Sequence, residues 1–306
     1  MLNELLDRAR EAARRALASD GLAPAAGALD TEQVDERTAV HLLNGVTEDR
    51  ASLKGLHDLR DRVGPQRDEG AFERVLLLRA WLQSLESVPG LRVDDRVKQL
   101  MCDEVQLIAA PPASVQHRYS LERQAFVAFS KLATLRRFPA GQLHWEISGV
   151  PRSWLMKVAP RALPAVLYHL AARMRGLGPA FFPHLNVNRK DRAALLERES
   201  NRSYFRMAQS LARQPEVKGL VASSWLHSPD TMKASPHLLS LNRVFVENGA
   251  LVTTIGPADP DSGVFTRSPE RKQLFDQGLF KPTTGLVLWP RAEMLAWADA
   301  HPEFAD

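Results

Sequence analysis

Residues 219–230 combine residue types that could do chemistry. They read G-L-V-A-S-S-W-L-H-S-P-D, so polar groups directly follow an apolar run. Ser223 or Ser224 with His227 and Asp230 would supply a nucleophile, a base and an orienting carboxylate. Their closeness argues against a hydrolase, because triad members usually come from separate elements, and no G-x-S-x-G turn is present. A different interpretation is that Trp225 and His227 follow a strand and contact a ligand there, unless Trp225 simply closes the core.

The same region predicts helix starts at serine–proline pairs. Ser228-Pro229-Asp230 places a capping serine, a first-turn proline and a carboxylate at the positive end of a helix dipole. Ser235-Pro236 and Ser268-Pro269-Glu270 repeat the pattern. We therefore expect Ser228, Ser235 and Ser268 to be helix caps.

A basic segment lies earlier in the chain, at the end of another strand-like run. Residues 186–192 read N-V-N-R-K-D-R and join a predicted strand to the start of a predicted helix. Arg189, Lys190 and Arg192 lie where the helix dipole also favours a negative charge. These three residues are the predicted site for a phosphate-bearing or other anionic small molecule. The alternative is a solvated helical face, which Glu197 and Glu199 support.

A third candidate is the alternating run Q-L-H-W-E-I-S at 142–148, which is typical of a half-buried strand. His144 and Glu146 would lie on the same face of that strand. They predict either a general base or a polar pair across two strands. The remaining histidines are scattered, with no C-x-x-C, H-E-x-x-H or H-x-x-x-H pattern, so we predict no metal site.

Composition limits the class of protein. Residues 1–114 carry a net charge of −5 and residues 115–306 one of +9. The two halves either attract each other within the fold or the basic half binds an anion. No nucleic-acid motif accompanies the charge, so a nucleic-acid partner is not expected. The single cysteine, Cys102, predicts a reducing compartment and a small buried side chain. With no spanning apolar segment and no targeting peptide, we expect a cytoplasmic protein without a membrane partner.

The elements that must position these residues change halfway along the chain. Residues 1–110 show only helical apolar spacing, which predicts a small all-α helical bundle. The stretch A-A-P-P-A-S at 109–114 is the predicted domain boundary, and 115–306 is the second domain.

Strands and helices alternate in the second domain. Strands are predicted at 142–148, 181–187, 217–223 and 285–289, with a return strand at 154–158. Helices are predicted at 160–175 and 192–213. Asn248-Gly249 between two β-rich runs predicts a hairpin. The fold class is therefore α+β or α/β, with a mixed sheet behind an N-terminal helical domain.

Two resemblances add expectations. The segments S-S-W-x-x-x-P at 223–229, S-P-x-L at 235–238, S-P-x-R-x-x-L-x-x-x-G at 268–278 and W-P-R at 289–291 resemble a group of uncharacterised bacterial proteins. That resemblance covers about the last hundred residues and implies a separate domain, but no catalytic residue.

The order of strand, long helix, strand, short helix and hairpin after residue 180 resembles the second half of the GNAT N-acyltransferase fold. Arg173, Gly176 and Gly178 also match R-x-x-G-x-G, the phosphate loop of that family. Here the loop follows a predicted helix and precedes a strand, so Gly176 or Gly178 is instead expected to end the helix. The resemblance implies acyl-CoA as cofactor, held by Arg189, Lys190 and Arg192 in place of a glycine-rich loop. It also implies Glu146 or His184 as the base that deprotonates an amine.

The leading hypothesis is thus a small-molecule enzyme of acyltransferase type with an anionic, acyl-CoA-type cofactor. The alternative is a non-catalytic binding or regulatory protein whose helical domain docks a protein partner. A serine hydrolase is the third hypothesis.

Overall fold

The computed structural model describes residues 1–66, 68–111, 118–185, 197–259, 263–266 and 268–305. Within them, Met1–Pro139 form one compact unit, and Ala140–Leu185 with the residues after 196 form a second. The predicted boundary at 109–114 lies partly outside the described residues and stays a prediction. Together the helices and the mixed sheet confirm the predicted fold class.

The first unit is helical apart from one short strand. Its helices are α1 (Leu2–Leu17), α2 (Ala23–Thr31), α3 (Glu36–Asn44), α4 (Lys54–Val63), α5 (Ala71–Ser84), α6 (Asp95–Ala109) and α7 (Gln124–Ala133), with 3₁₀ turns at Arg50–Leu53 and Val88–Gly90. The strand β1 (Arg137–Pro139) ends the unit.

Helix α5 is the centre of the first unit. Its sequence is apolar on all sides, which is typical of a helix enclosed by others, and it contacts α1, α2, α3, α6 and α7. Phe72 and Trp81 on this helix are fully buried. The buried Arg79 guanidinium donates to the carbonyls of Val34 and Ala26, so its polar group has partners. Cys102 on α6 is fully buried, as predicted.

The second unit is built on a mixed sheet. Its strands are β2 (Leu143–Ser148), β3 (Ala180–Leu185), β4 (Gly219–Ser224), β5 (Leu251–Pro257) and β6 (Thr283–Pro290), in the order β2-β3-β4-β6-β5. β3 and β4 are parallel, whereas the β2/β3, β4/β6 and β5/β6 pairs are antiparallel.

Helices cover both faces of this sheet. They are α8 (Arg152–Leu155), α9 (Leu163–Tyr168) with a π-helical turn at His169–Arg173, α10 (Glu197–Ala212), α11 (Pro229–Ala234), α12 (Ser240–Glu247), α13 (Gly263–Thr266), α14 (Pro269–Asp276) and α15 (Arg291–Ala300). Short 3₁₀ turns lie at Trp225–His227, Pro236–Leu238 and Pro302–Phe304. One face packs on Val166, Leu170 and Met174 of the α9 region. On the other face, Tyr204, Phe245 and Trp289 form an aromatic cluster.

The predicted hairpin at Asn248-Gly249 is wrong. The residues before it form α12, in which Leu241, Val244 and Phe245 are buried at helical spacing. Gly249 has a φ of 76°, and the Ala250 N–H donates to the Phe245 carbonyl at 3.0 Å. The Asn-Gly pair therefore ends a helix, a second role of residues that tolerate positive φ.

Two smaller predictions are also wrong, whereas the helix end at Gly176 is confirmed. Trp154 belongs to the short helix α8 and not to a return strand. Ser235 makes no capping bond, and its hydroxyl accepts instead from Arg271, while Ser228 and Ser268 do cap α11 and α14. Gly176 has a φ of 116°, and its N–H donates to the Leu170 carbonyl at 2.7 Å.

Candidate functional site

The antiparallel β2/β3 pair brings a carboxylate and an imidazole together. In its register His144 lies opposite His184, and Glu146 lies opposite Phe182. Side chains alternate along a strand, so these four residues share one face of the sheet. His184 Nε2 and Glu146 Oε1 are 3.2 Å apart. The structure therefore brings together the two residues that were predicted as alternative bases.

Burial of this pair is incomplete, which leaves room for a reacting group. The His184 side chain is 27% exposed and that of Glu146 is 17% exposed, whereas His144 is fully buried. A carboxylate beside an imidazole orients the ring and stabilises the cation that forms when the ring takes up a proton. The arrangement is suited to general base catalysis with His184 as the more accessible group.

Aromatic rings lie next to this pair. The Phe182 and His184 ring centroids are 5.1 Å apart, and Trp154 is 5.8 Å from Phe182. Phe182 and Trp154 are both partly exposed. They add an apolar wall beside the polar pair, which ligand sites commonly combine. Neither residue stands out by type or motif in the sequence, although the alternation in F-F-P-H places Phe182 on the same face as His184.

The neighbouring strands β3 and β4 run parallel. Among the described residues, β3 and β4 are paired at Phe181 and Leu220 alone. Their carboxyl ends lie at the same edge of the sheet, where open α/β sheets bind ligands. By strand alternation from that pair, His184 and Ser223 face the same side. Ser223 is partly exposed and His184 is near the end of β3.

Trp225 and His227 follow β4, as predicted, but differ in exposure. His227 is buried, and its Nδ1 is 2.8 Å from the Asn242 side-chain oxygen. Burial lowers the pKa of His227, which its hydrogen bond to Asn242 partly counteracts. Trp225 is partly exposed, and the Arg271 guanidinium lies 4.9 Å from the centroid of its ring. Contact of Trp225 or His227 with a cofactor stays a prediction.

Three residues of the serine hydrolase hypothesis each have a different partner: Ser224, His227 and Asp230. Ser224 Oγ accepts from the Leu226 N–H, and His227 is bonded to Asn242. Asp230 accepts instead from Thr283 Oγ1, 3.1 Å from its Oδ2. These partners serve local structure, in agreement with the preference for a strand followed by a capped helix.

The predicted anion site lies outside the described residues. Arg189, Lys190 and Arg192 come shortly after the end of β3 in the sequence. Their role as cofactor-binding residues stays a prediction. Within the residues that are described, no three His, Cys, Asp or Glu side chains are grouped so that they could hold a metal ion.

Comparison with known proteins gives one weak likeness. No protein-family model and no curated protein sequence matches the chain. The structure is similar to the crystal structure of an acyltransferase in complex with decanoyl-CoA, with a TM-score of 0.47 and 16% sequence identity. The likeness covers 83% of this chain and 77% of the other. At this level it assigns no activity to the present chain.

Proposed function

We propose that the second unit is an acyltransferase that moves an acyl group from an acyl-CoA to an amine. The observation that carries this proposal is the pairing of His184 with Glu146 at 3.2 Å, on a strand that ends at the edge of the sheet. The parallel strands β3 and β4 lie at this edge, and among the described residues they pair at Phe181 and Leu220, near their start. An acyl donor entering at that edge would meet a base on the adjacent strand.

His184 and Glu146 have separate tasks in this reaction. The amine nitrogen attacks the thioester carbonyl carbon, and Nδ1 of His184 accepts the proton that the amine nitrogen loses, because the other ring nitrogen, Nε2, faces Glu146. The carbon–sulfur bond then breaks, and the CoA thiolate leaves with the electron pair. Glu146 holds the His184 ring in place and stabilises its positive charge, as the more buried of the two groups.

The acyl donor would be held by basic residues that follow β3 in the sequence. Arg189, Lys190 and Arg192 follow β3 and would neutralise the phosphates of CoA. Trp154 and Phe182 would line the acceptor side, because the Phe182 ring lies beside His184 and the Trp154 ring beside Phe182. A binding residue and a base are thus assigned to different segments, so their effects can be separated by experiment.

The test measures thiol release from acetyl-CoA with a panel of primary amines, beside a thermal-shift measurement with acetyl-CoA alone. We expect His184→Gln and Glu146→Gln to lower kcat by about 100-fold to 10,000-fold, the usual range for loss of a general base. Both variants should keep the thermal shift, which corresponds to about 2.7 kcal/mol at 100 times Kd. Arg189→Ala with Lys190→Ala should reduce the shift itself.

Glu247→Gln is the matched control, because Glu247 is an exposed carboxylate of the same unit on α12. It should leave both readouts unchanged. If the unaltered protein shows no thermal shift and no thiol release, the proposal is refuted and the non-catalytic binding protein is favoured. Full activity of His184→Gln would refute the assignment of the base.

A further inference from the structure

The helix that covers one face of the sheet has an unusual outward surface. α9 and its π-helical turn together span 163–173 and bury Val166 and Leu170 against the sheet. The exposed positions of this helix before Arg173 are all apolar or aromatic: Pro164, Ala165, Leu167, Tyr168, Ala171 and Ala172. Surface helices normally carry charged residues on the outward face. The outward face of this helix is instead suited to contact with an apolar partner.

The large side chains on this surface are well exposed. Leu167 is 47% exposed and Tyr168 is 57% exposed. Met156, in the segment just before α9, is 88% exposed. Leu167 and Tyr168, together with the small apolar residues of the same helix, form the α9 surface.

Basic residues flank the α9 surface in the sequence, and no acidic residue accompanies them there. Residues 147–185 contain no Asp or Glu. Arg152, Lys157 and Arg161 precede the helix and Arg175 follows it, and all four are exposed. Arg173 does not add to this set, because it forms an ion pair with Glu293.

We propose that the α9 surface binds the face of a membrane that contains anionic phospholipids. Exposed apolar and aromatic side chains enter the boundary between headgroups and acyl chains, while nearby Lys and Arg side chains extend to the phosphates. Tyr168 suits that boundary, because its ring is apolar and its hydroxyl is polar. This contact is peripheral and needs no spanning segment. Among the described residues, no helix is both long and apolar enough to cross a membrane.

Charge complementarity favours lipid over the other occupants. A second copy of the chain would bring the same four cations face to face across a two-fold axis, which is repulsive. An acidic protein would match the charge, but the outward positions between Arg161 and Arg173 offer it only the Tyr168 hydroxyl and His169 for polar contacts. This proposal departs from the expectation of no membrane partner, which rested on the lack of a spanning segment and of a targeting peptide.

The test is co-sedimentation of the full chain with vesicles of phosphatidylcholine alone or with 30% phosphatidylglycerol, roughly a typical anionic fraction. We expect binding to the anionic vesicles that weakens in high salt. Lys157→Gln with Arg161→Gln should weaken it about 25-fold, from about fivefold for each basic residue near the surface. Leu167→Ser with Tyr168→Ser should weaken it at least about tenfold.

Leu279→Ser is the matched control, because Leu279 is 75% exposed in the same unit but lies after α14. It should bind as the unaltered protein does. Circular dichroism of each variant checks that these exposed substitutions leave the fold intact. Three results would overturn the proposal: no binding to anionic vesicles, unchanged binding by the Leu167→Ser and Tyr168→Ser variant, or binding to polyglutamate without binding to vesicles.

Discussion

Gly285 on β6 is required by the close approach of another backbone segment. It lies opposite Ser224 in the β4/β6 register, and the 3₁₀ turn Trp225–His227 passes directly over it. A Cβ at position 285 would overlap the carbonyl group of His227 and the amide nitrogen of Ser228. We therefore expect Gly285→Ala to destabilise the second unit.

The size of the effect follows from what must move. The overlapped atoms are backbone, so no side-chain rotation relieves the clash, and overpacking of this kind costs about 1–3 kcal/mol. Moving the turn would also disturb the His227 bond to Asn242 at 2.8 Å and the Ser228 bond to Thr283 at 2.6 Å. Each such bond contributes about 1 kcal/mol. We therefore expect Gly285→Ala to lower the free energy of unfolding by about 3 kcal/mol, the upper end of the range for overpacking.

Urea denaturation followed by circular dichroism and tryptophan fluorescence measures this loss. Gly178→Ala is the matched control in the same unit, because a Cβ there would meet only the flexible Lys218 side chain, 3.4 Å from its Cγ. The control should change stability by no more than about 0.5 kcal/mol. If Gly285→Ala is as stable as the control, the backbone contact that places His227 and Ser228 is not as described.

Two further predictions concern titratable groups. Burial lowers the folded-state pKa of His227 below 6.5, so the unfolded chain takes up this proton first on acidification. The free energy of unfolding should fall as the pH drops below about 6.5, by at most about 1.4 kcal/mol per pH unit. The slope of this dependence should be smaller in His227→Gln. Equal slopes for the two proteins in urea titrations at several pH values would contradict this prediction. Burial also raises the pKa of Cys102 to about 11 from 9.0, so at pH 8 its thiolate is about a hundredfold rarer than in an exposed thiol. Alkylation in the folded protein should be slower by at least that factor than in urea, and equal rates would show that Cys102 is accessible.

Regular elements could be predicted from the sequence wherever one periodicity dominated. The alternation at 142–148 matches β2 (Leu143–Ser148), and the apolar run at 217–223 matches β4 to within two residues. The segment before Asn248 was ambiguous, because V-F-V suits a strand and Leu241, Val244 and Phe245 suit a helix. Tertiary packing of Phe245 against Tyr204 and Trp289 decides in favour of the helix, and β propensity does not reveal such contacts.

The candidate site was only partly predictable, because its distances depend on strand register. Glu146 and His184 were each recognisable as a possible base, yet 37 intervening residues include two helices. Nothing in the local pattern states that the two strands are neighbours, or which residues lie opposite each other. The partner of His227 was likewise hidden, since Asn242 lies on a helix whose existence the Asn-Gly pair obscured.

Register in the β2/β3 pair is held from the opposite face of the sheet. Trp145 and Phe181 are fully buried there, with their ring centroids 5.5 Å apart. A slip by one residue would turn Trp145 towards the other face and leave a large apolar side chain without its packing partners. The same slip would carry Glu146 away from His184. The 3.2 Å contact of the polar pair is therefore set by apolar packing behind it, and residues without any chemistry of their own determine whether a base can form.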